Sequence, residues 1–187
     1  DIVSISDVQE MKEKTFRAIG NISVIVNCAT IPVQNIKFAN VEWKDMQAHY
    51  DSNIRGSFNL LRAFVPDWER GKFGKFIALT SLYTEQPKSE LLGYITGKTA
   101  LNGFIKALAV ELAPKGIRIN LVSPGMVDTP LIADVPEKVR LLSAAQTPLR
   151  TLATAGDIAG TISFLASEKS NYLTGETIRI NGGQFML

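Results

Sequence analysis

The sequence predicts an α/β fold of the doubly wound kind, a mostly parallel sheet with helices on both faces. Three observations carry this reading. Short apolar runs rich in β-branched residues alternate along the chain with longer segments of helical period, and parallel strands need such crossover segments between them. The strand-like runs are nearly continuous in their apolar character, as strands covered on both faces are. No internal repeat, low-complexity tract or Pro/Gly/Ser linker divides the 187 residues, so a single domain over 1–187 is predicted.

The elements follow in order. Ser6 and Gln9 have capping-box spacing, Val8, Met11 and Ile19 roughly follow a helical period, and Gly20 closes the segment, which predicts a helix over about 6–19. Ile22 to Val26 is apolar apart from Ser23 and follows a Gly-Asn turn, the pattern of a buried strand. From Val41 to about Glu69, Trp43, Met46, Tyr50, Ile54, Phe58, Leu61 and Phe64 recur three and four apart and predict a long helix. Asn53 and Gly56 both weaken helix interiors, so a kink or a function is expected where they interrupt it. Further strands are predicted near 75–80, 117–122 and 176–180, and further helices near 94–113 and 155–167.

With 45% hydrophobic and 20% charged residues, the chain has enough apolar material for a buried core. Its formal charge of +2 arises from 20 basic and 18 acidic residues spread along the sequence, which leaves no basic tract for nucleic acid or an anionic membrane. Small, near-neutral ligands are the expected partners. A lone cysteine, Cys28, excludes an internal disulfide, and with a single histidine, His49, it cannot furnish a structural zinc site, so no metal is expected. This usage fits a reducing cytoplasm. No apolar run approaches the roughly 18 to 20 residues of a membrane span. His49 lies in a polar helical stretch and is expected at the surface. The chain begins at Asp1 without an initiator methionine, as a fragment or an ordered part would.

Tyr94 and Lys98 stand four apart and share a helix face. In a chain of this composition such a pair arises by accident about one time in four, and a solvated surface pair is the plainer reading of it alone. The chemistry is specific all the same, because an ammonium beside a phenol favours the phenolate and brings its pKa towards the range of general acid/base work. Ser81 lies 13 residues before Tyr94, directly after the strand Phe76 to Thr80, and strand ends are where such sheets place their chemistry. After the strand Ile117 to Val122, the segment Ser123 to Pro130 holds two prolines and a glycine in an irregular loop able to grip a ligand.

Taken together these segments resemble the classical short-chain dehydrogenase/reductases, with a later stretch, Thr147 to Ala159, similar to that of 3-oxoacyl-carrier-protein reductases. The resemblance runs over essentially the whole chain and implies a Rossmann-like sheet of which this chain is the C-terminal three-quarters. Asp1-Ile2-Val3 is similar to the end of the family's third strand, and Asn27-Cys28-Ala29-Thr30 to its Asn-Asn-Ala-Gly segment, with departures at Cys28 and Thr30. By resemblance Asn53, Ser81, Tyr94 and Lys98 are the catalytic set, and Asp1, Asn27, Ala29, Tyr94, Lys98, Pro124, Gly125, Val127 and Thr129 contact an NAD or NADP cofactor. The implied reaction is hydride transfer between NAD(P)(H) and a small-molecule carbonyl or secondary alcohol, with residues 131–150 as a substrate lid. The family's first strands and its glycine-rich phosphate turn are missing from this chain, so tight dinucleotide binding by these residues alone is not expected.

Three other readings compete. Gly93 to Thr99 looks like a Walker motif but has three residues between its glycines where four are needed. A serine hydrolase would need a Gly-x-Ser-x-Gly elbow, which the sequence lacks. A non-catalytic scaffold or oligomer partner that has lost its cofactor is the remaining alternative. The long helix carries more large apolar groups than one core-facing stripe holds, which predicts a homodimer or homotetramer built on the helices near 42–69 and 94–113.

Overall fold

A computed structural model describes residues 1–186. Helix α1 (Ile5–Ile19) leads into strand β1 (Val24–Asn27), and a long loop then reaches helix α2 (Trp43–Tyr50). A π-helical turn (Asp51–Arg55) joins α2 without interruption to helix α3 (Gly56–Gly71). Strand β2 (Gly74–Leu79), helix α4 (Leu92–Leu112), strand β3 (Ile117–Pro124), helices α5 (Glu137–Gln146) and α6 (Ala155–Ala166), and strand β4 (Thr177–Ile180) complete the order.

The four strands lie side by side in the order β1-β2-β3-β4, all parallel, which is the predicted doubly wound α/β layout. Alternation along each strand sends neighbouring side chains to opposite faces. Phe76, Ala78, Ile119 and Leu121 pack with Val8 of α1, Leu61, Phe64 and Trp68 of α3, and Leu101 and Ile105 of α4. Ile77 and Val122 point the other way, onto Ile158 and Leu165 of α6. Each of these buried side chains is worth roughly 1.5–3 kcal/mol of apolar transfer. β1 forms one edge of the sheet and is paired to β2 alone among the described residues.

One local expectation is revised, and two others gain detail. The cap of α1 is Ser4, whose hydroxyl accepts the Asp7 amide at 3.3 Å, not Ser6; Ser4 sits before the first turn, where the orphan amides are. The apolar residues of the long helix divide between two faces. Leu60, Leu61, Phe64 and Trp68 are buried, while Trp43 is 69% and Phe58 49% exposed. The segment expected as a lid contains α5, a helix that weak apolar periodicity had hidden.

Gly116 turns the chain from α4 into β3 at φ +83°, and a side chain there would overlap the Lys72 carbonyl oxygen. Gly103, inside α4, has nothing within 4 Å of where a Cβ would stand. Urea unfolding should therefore show opposite signs: Gly116→Ala destabilises by more than about 1 kcal/mol, and Gly103→Ala stabilises by about 0.5–1 kcal/mol.

Candidate active site

In-register parallel pairing aligns the strand ends, so that Asn27 opposes Ala78, Leu79 opposes Val122, and Pro124 opposes Ile180. The chain leaves this carboxyl edge through Ala29, Ser81 and Gly125, and most of the candidate residues gather there. Asn27 is buried; its Nδ2 donates to Ser57 Oγ at 3.1 Å and its Oδ1 accepts the Ala29 amide at 3.1 Å, which fixes the backbone after β1. Ser81 Oγ accepts the Tyr83 amide at 3.2 Å, leaving its own hydroxyl proton free to point elsewhere. The loop beyond it is tied to β4 by a two-pronged ion pair, Arg179 Nε donating to Glu85 Oε2 at 2.7 Å and Nη2 to Oε1 at 2.5 Å.

Tyr94 and Lys98 stand in the first two turns of α4. Lys98 is 5% exposed, and its Nζ donates to the Leu79 carbonyl at 2.8 Å. Burial lowers its pKa to about 8, and the Cys28 thiol opposes that shift only in part. The sequence argument set the ammonium to depress the Tyr94 phenol. The net direction is upward: burial pushes the phenol up, the Ser81 hydroxyl pulls it back, and Tyr83 adds to the rise. Burial outweighs any help from the ammonium, whose hydrogen bond is to the Leu79 carbonyl.

The predicted anomaly at Asn53 is the π-turn, in which the Gly56 amide reaches back to the Asp51 carbonyl. Such turns re-aim side chains, often at functional sites. Asn53 is 3% exposed and its Nδ2 donates to the His49 carbonyl at 2.8 Å. His49 itself is buried at 7% exposure, contrary to the expected surface position, and its ring meets the Tyr94 ring edge-on with centroids 5.9 Å apart. Gly93 and Gly97 make room for it: side chains there would stand 2.8 and 3.0 Å from His49 atoms. The sequence signal was the Gly-x-x-x-Gly spacing on the Tyr94 helix, weighed only as a phosphate loop. Burial, then the Lys98 charge, lowers the His49 pKa, while Asp45 pulls it up.

The remaining predicted contacts divide. The Gly125 amide donates to the Ile180 carbonyl at 3.0 Å, and Val127 and Asp128 are bridged to Ala153, which holds the loop to Thr129 against the sheet end. Asp1 is exposed, and the residues after it are tied to α3, where Asn59 Nδ2 donates to the Ile2 and Val3 carbonyls at 3.0 and 2.9 Å. No hydrogen bond among the described residues joins Asp1 to Tyr94 or Lys98.

A family model described as enoyl-(acyl carrier protein) reductase matches residues 1–184. The 3-oxoacyl-[acyl-carrier-protein] reductase of Staphylococcus epidermidis is 33% identical over 182 residues, which are 96% of this chain and 73% of that protein. The chain belongs to the short-chain dehydrogenase/reductase family. The acetoacetyl-CoA reductase of Allochromatium vinosum is 32% identical over 186 residues, covering all of this chain and 75% of its relative. A solved structure of ElxO, a tyrosine-to-phenylalanine variant with NADPH bound, superposes with a TM-score of 0.90 at 27% identity, over 98% of this chain and 75% of that one.

An NAD(P) nicotinamide half fits the residues present. Lys98 is a buried cation paired with no carboxylate among the described residues, and an ammonium with one N–H on Leu79 keeps two donors for ribose hydroxyls. For a pyrophosphate the chain supplies no glycine-rich turn. Among the described residues no group of His, Cys, Asp and Glu could hold a metal ion, and no helix is long and apolar enough to cross a membrane.

Lys98 also gives a titration. Its folded pKa of about 8 lies below the unfolded lysine value, so the native state carries a buried charge at neutral pH and sheds it earlier than the unfolded chain does. Its contribution to stability is therefore fully present only above the unfolded value of about 10.4 and is lost as pH falls through about 8. Urea unfolding across pH should show the wild type gaining on Lys98→Met between these two values, and a flat difference would place the Lys98 pKa elsewhere.

Proposed function

We propose that this chain carries the catalytic part of an NAD(P)-dependent oxidoreductase that interconverts a carbonyl and a secondary alcohol. One observation carries the reading: Ser81, Tyr94 and Lys98 are brought to one carboxyl edge of a parallel sheet, with Lys98 a buried and carboxylate-free cation. The bound nicotinamide supplies or accepts the hydride. Ser81, whose hydroxyl faces Tyr94, donates a hydrogen bond to the substrate oxygen. Tyr94, kept protonated by burial, delivers its proton to that oxygen in the reducing direction and retrieves it in the oxidising one. Lys98 binds the ribose hydroxyls and stabilises the phenolate left behind by charge. Asn53, held by the His49 carbonyl, positions a water behind Lys98. The loop Pro124 to Thr129, tethered to the sheet end, would hold the carboxamide of a bound nicotinamide through Val127 and Thr129. Asn27 and Ala29 support the ribose side of that cleft.

The relatives' names include reductases of 3-oxoacyl and acetoacetyl thioesters, which supports the reducing direction and a small oxo compound as substrate. Steady-state kinetics and dinucleotide titration of the intact protein test the roles. Tyr94→Phe should lower turnover by about 10² to 10⁴-fold with cofactor affinity within a few-fold, and activity above roughly a tenth of wild type would remove Tyr94 from acid/base chemistry.

The protein is further proposed to be a cytoplasmic homodimer or homotetramer through α2, α3 and α4. Trp43 at 69%, Phe58 at 49% and Val110 at 80% exposure leave large apolar groups in water on these helices. Sedimentation of the intact protein at micromolar concentration should give a closed oligomer, and a monomer there would count against it.

A further inference from the structure

Strand alternation puts Arg179 of β4 beside Ser123 of β3, on the face of the sheet that α4 covers, since Ile119 and Leu121 of the same alternation are buried there. From that face it reaches the loop after Ser81. Its guanidinium meets the Glu85 carboxylate with both prongs, at 2.7 and 2.5 Å, and lies over the Phe185 ring, 5.8 Å from the centroid. The mechanism above gives neither Arg179 nor Glu85 a role.

One end of this link is firm. β4 is paired to β3 from Thr177 to Ile180, and the chain beyond it is bound as well: the Gly125 amide donates to the Ile180 carbonyl at 3.0 Å, and the Leu149 amide to the Gly182 carbonyl at 3.3 Å. Phe185 is held in turn by Asn181, whose Nδ2 donates to its carbonyl at 2.9 Å. The other end needs the support. Between the end of β2 at Leu79 and the start of α4 at Leu92 the chain makes one short 3₁₀ turn, Leu82–Thr84, which Ser81 caps and Glu85 closes. Hydrogen-bond geometry in such a turn is poor, so it does not fix the chain around it by itself. Two side chains brace it from outside, Asn102 on Thr84 at 3.2 Å and Arg179 on Glu85.

Magnitudes decide what the second brace does. With side chains 31% and 25% exposed, the pair adds little to folding stability. A misplacement of about 1 Å at a reacting group can nevertheless cost about 10²-fold in rate. The link therefore acts on position more than on stability.

We propose that Arg179 is a positioning residue: through Glu85 it fixes the turn that carries Ser81, and so sets where the Ser81 hydroxyl stands against Tyr94 and the substrate oxygen. This rests on the reading of Ser81 as a donor to that oxygen.

The test uses the intact enzyme, NADPH or NADH, and ethyl acetoacetate as the probe. Arg179→Met and Glu85→Gln should each lower kcat by about tenfold, with dinucleotide affinity within about twofold and the thermal midpoint nearly unmoved. The deciding measurement is a double-mutant cycle with Ser81. In a Ser81→Ala background Arg179→Met should cost no further rate, because its effect passes through a hydroxyl that is already gone. A tenfold loss repeated in that background, as a general loosening of the fold would give, overturns the proposal, and so does wild-type kcat in both single variants. Glu85→Gln keeps the shape of its side chain, so the same cycle run on it decides the matter if Arg179→Met fails to fold. Failure of the underlying reading looks different: Ser81→Ala at wild-type turnover overturns the role of Ser81, and this assignment with it.

Discussion

Lys98 carries its ammonium to a place water does not reach, and the Leu79 carbonyl is its hydrogen-bond acceptor. Desolvating a charge without a counter-ion is expensive, and the helix that bears Lys98 must be pinned to the end of β2 for that single acceptor to serve. The pinning comes from packing: Leu101 and Ile105, one and two turns on, are buried on Phe76, Ala78 and Ile119 of the sheet. Once the charge is fixed, its surroundings follow. His49 is kept neutral partly because a second cation nearby would repel, and the Cys28 thiol feels the same field, which eases an ionisation that burial opposes. Tyr94, one turn earlier on the same face, is left protonated by its own burial, ready to give a proton.

The second dependence is between two helices. α2 approaches α4 closely because Gly93 and Gly97 present no side chains, and His49 fills the space they leave. The π-turn that follows lets Asn53 fold its amide back to the His49 carbonyl, so one residue both plugs the helix contact and anchors the neighbouring candidate group. Gly-x-x-x-Gly and the Asn53 to Gly56 irregularity are thus two halves of one device, a close crossing and a local widening of the helix that makes it.

The elements at Phe76 to Leu79, Ile117 to Val122 and the helix carrying Tyr94 were legible because their patterns are determined by burial on both faces or along a stripe, and these are properties of single segments. Ser81 was legible only through its spacing to Tyr94. The position of His49 was not, because its burial is decided by glycines more than forty residues away on another helix. The net rise at Tyr94 was hidden for a similar reason: four-residue spacing gives a shared face with Lys98, but the burial that dominates the phenol is set by elements distant in sequence. The division of the Trp43 to Trp68 stripe into buried and exposed faces likewise needed the sheet to choose between them.

Polar groups left without partners concentrate at the same edge. Among the described residues, the buried side-chain atoms lacking a hydrogen bond are His49 Nδ1, Thr80 Oγ1, Asn102 Oδ1, Ser123 Oγ and Arg140 Nε. Thr80 and Ser123 follow Leu79 and Val122, which face each other across the β2–β3 ladder, and the Thr80 amide donates to the Val122 carbonyl at 2.9 Å. Asn102 lies one turn beyond Lys98 on α4, and its other amide atom donates to Thr84 Oγ1 at 3.2 Å, in the loop after Ser81. Each such group weakens the fold by the cost of its desolvation, about 1–3 kcal/mol. A fold optimised for stability alone would replace them with apolar side chains of the same shape, as it does along Ile117, Ile119 and Leu121 a few residues earlier on β3. Arg140 on α5 apart, they lie at the carboxyl ends of β2 and β3 and on α2 and α4, where a candidate site gives up stability for polar chemistry that the core does not carry.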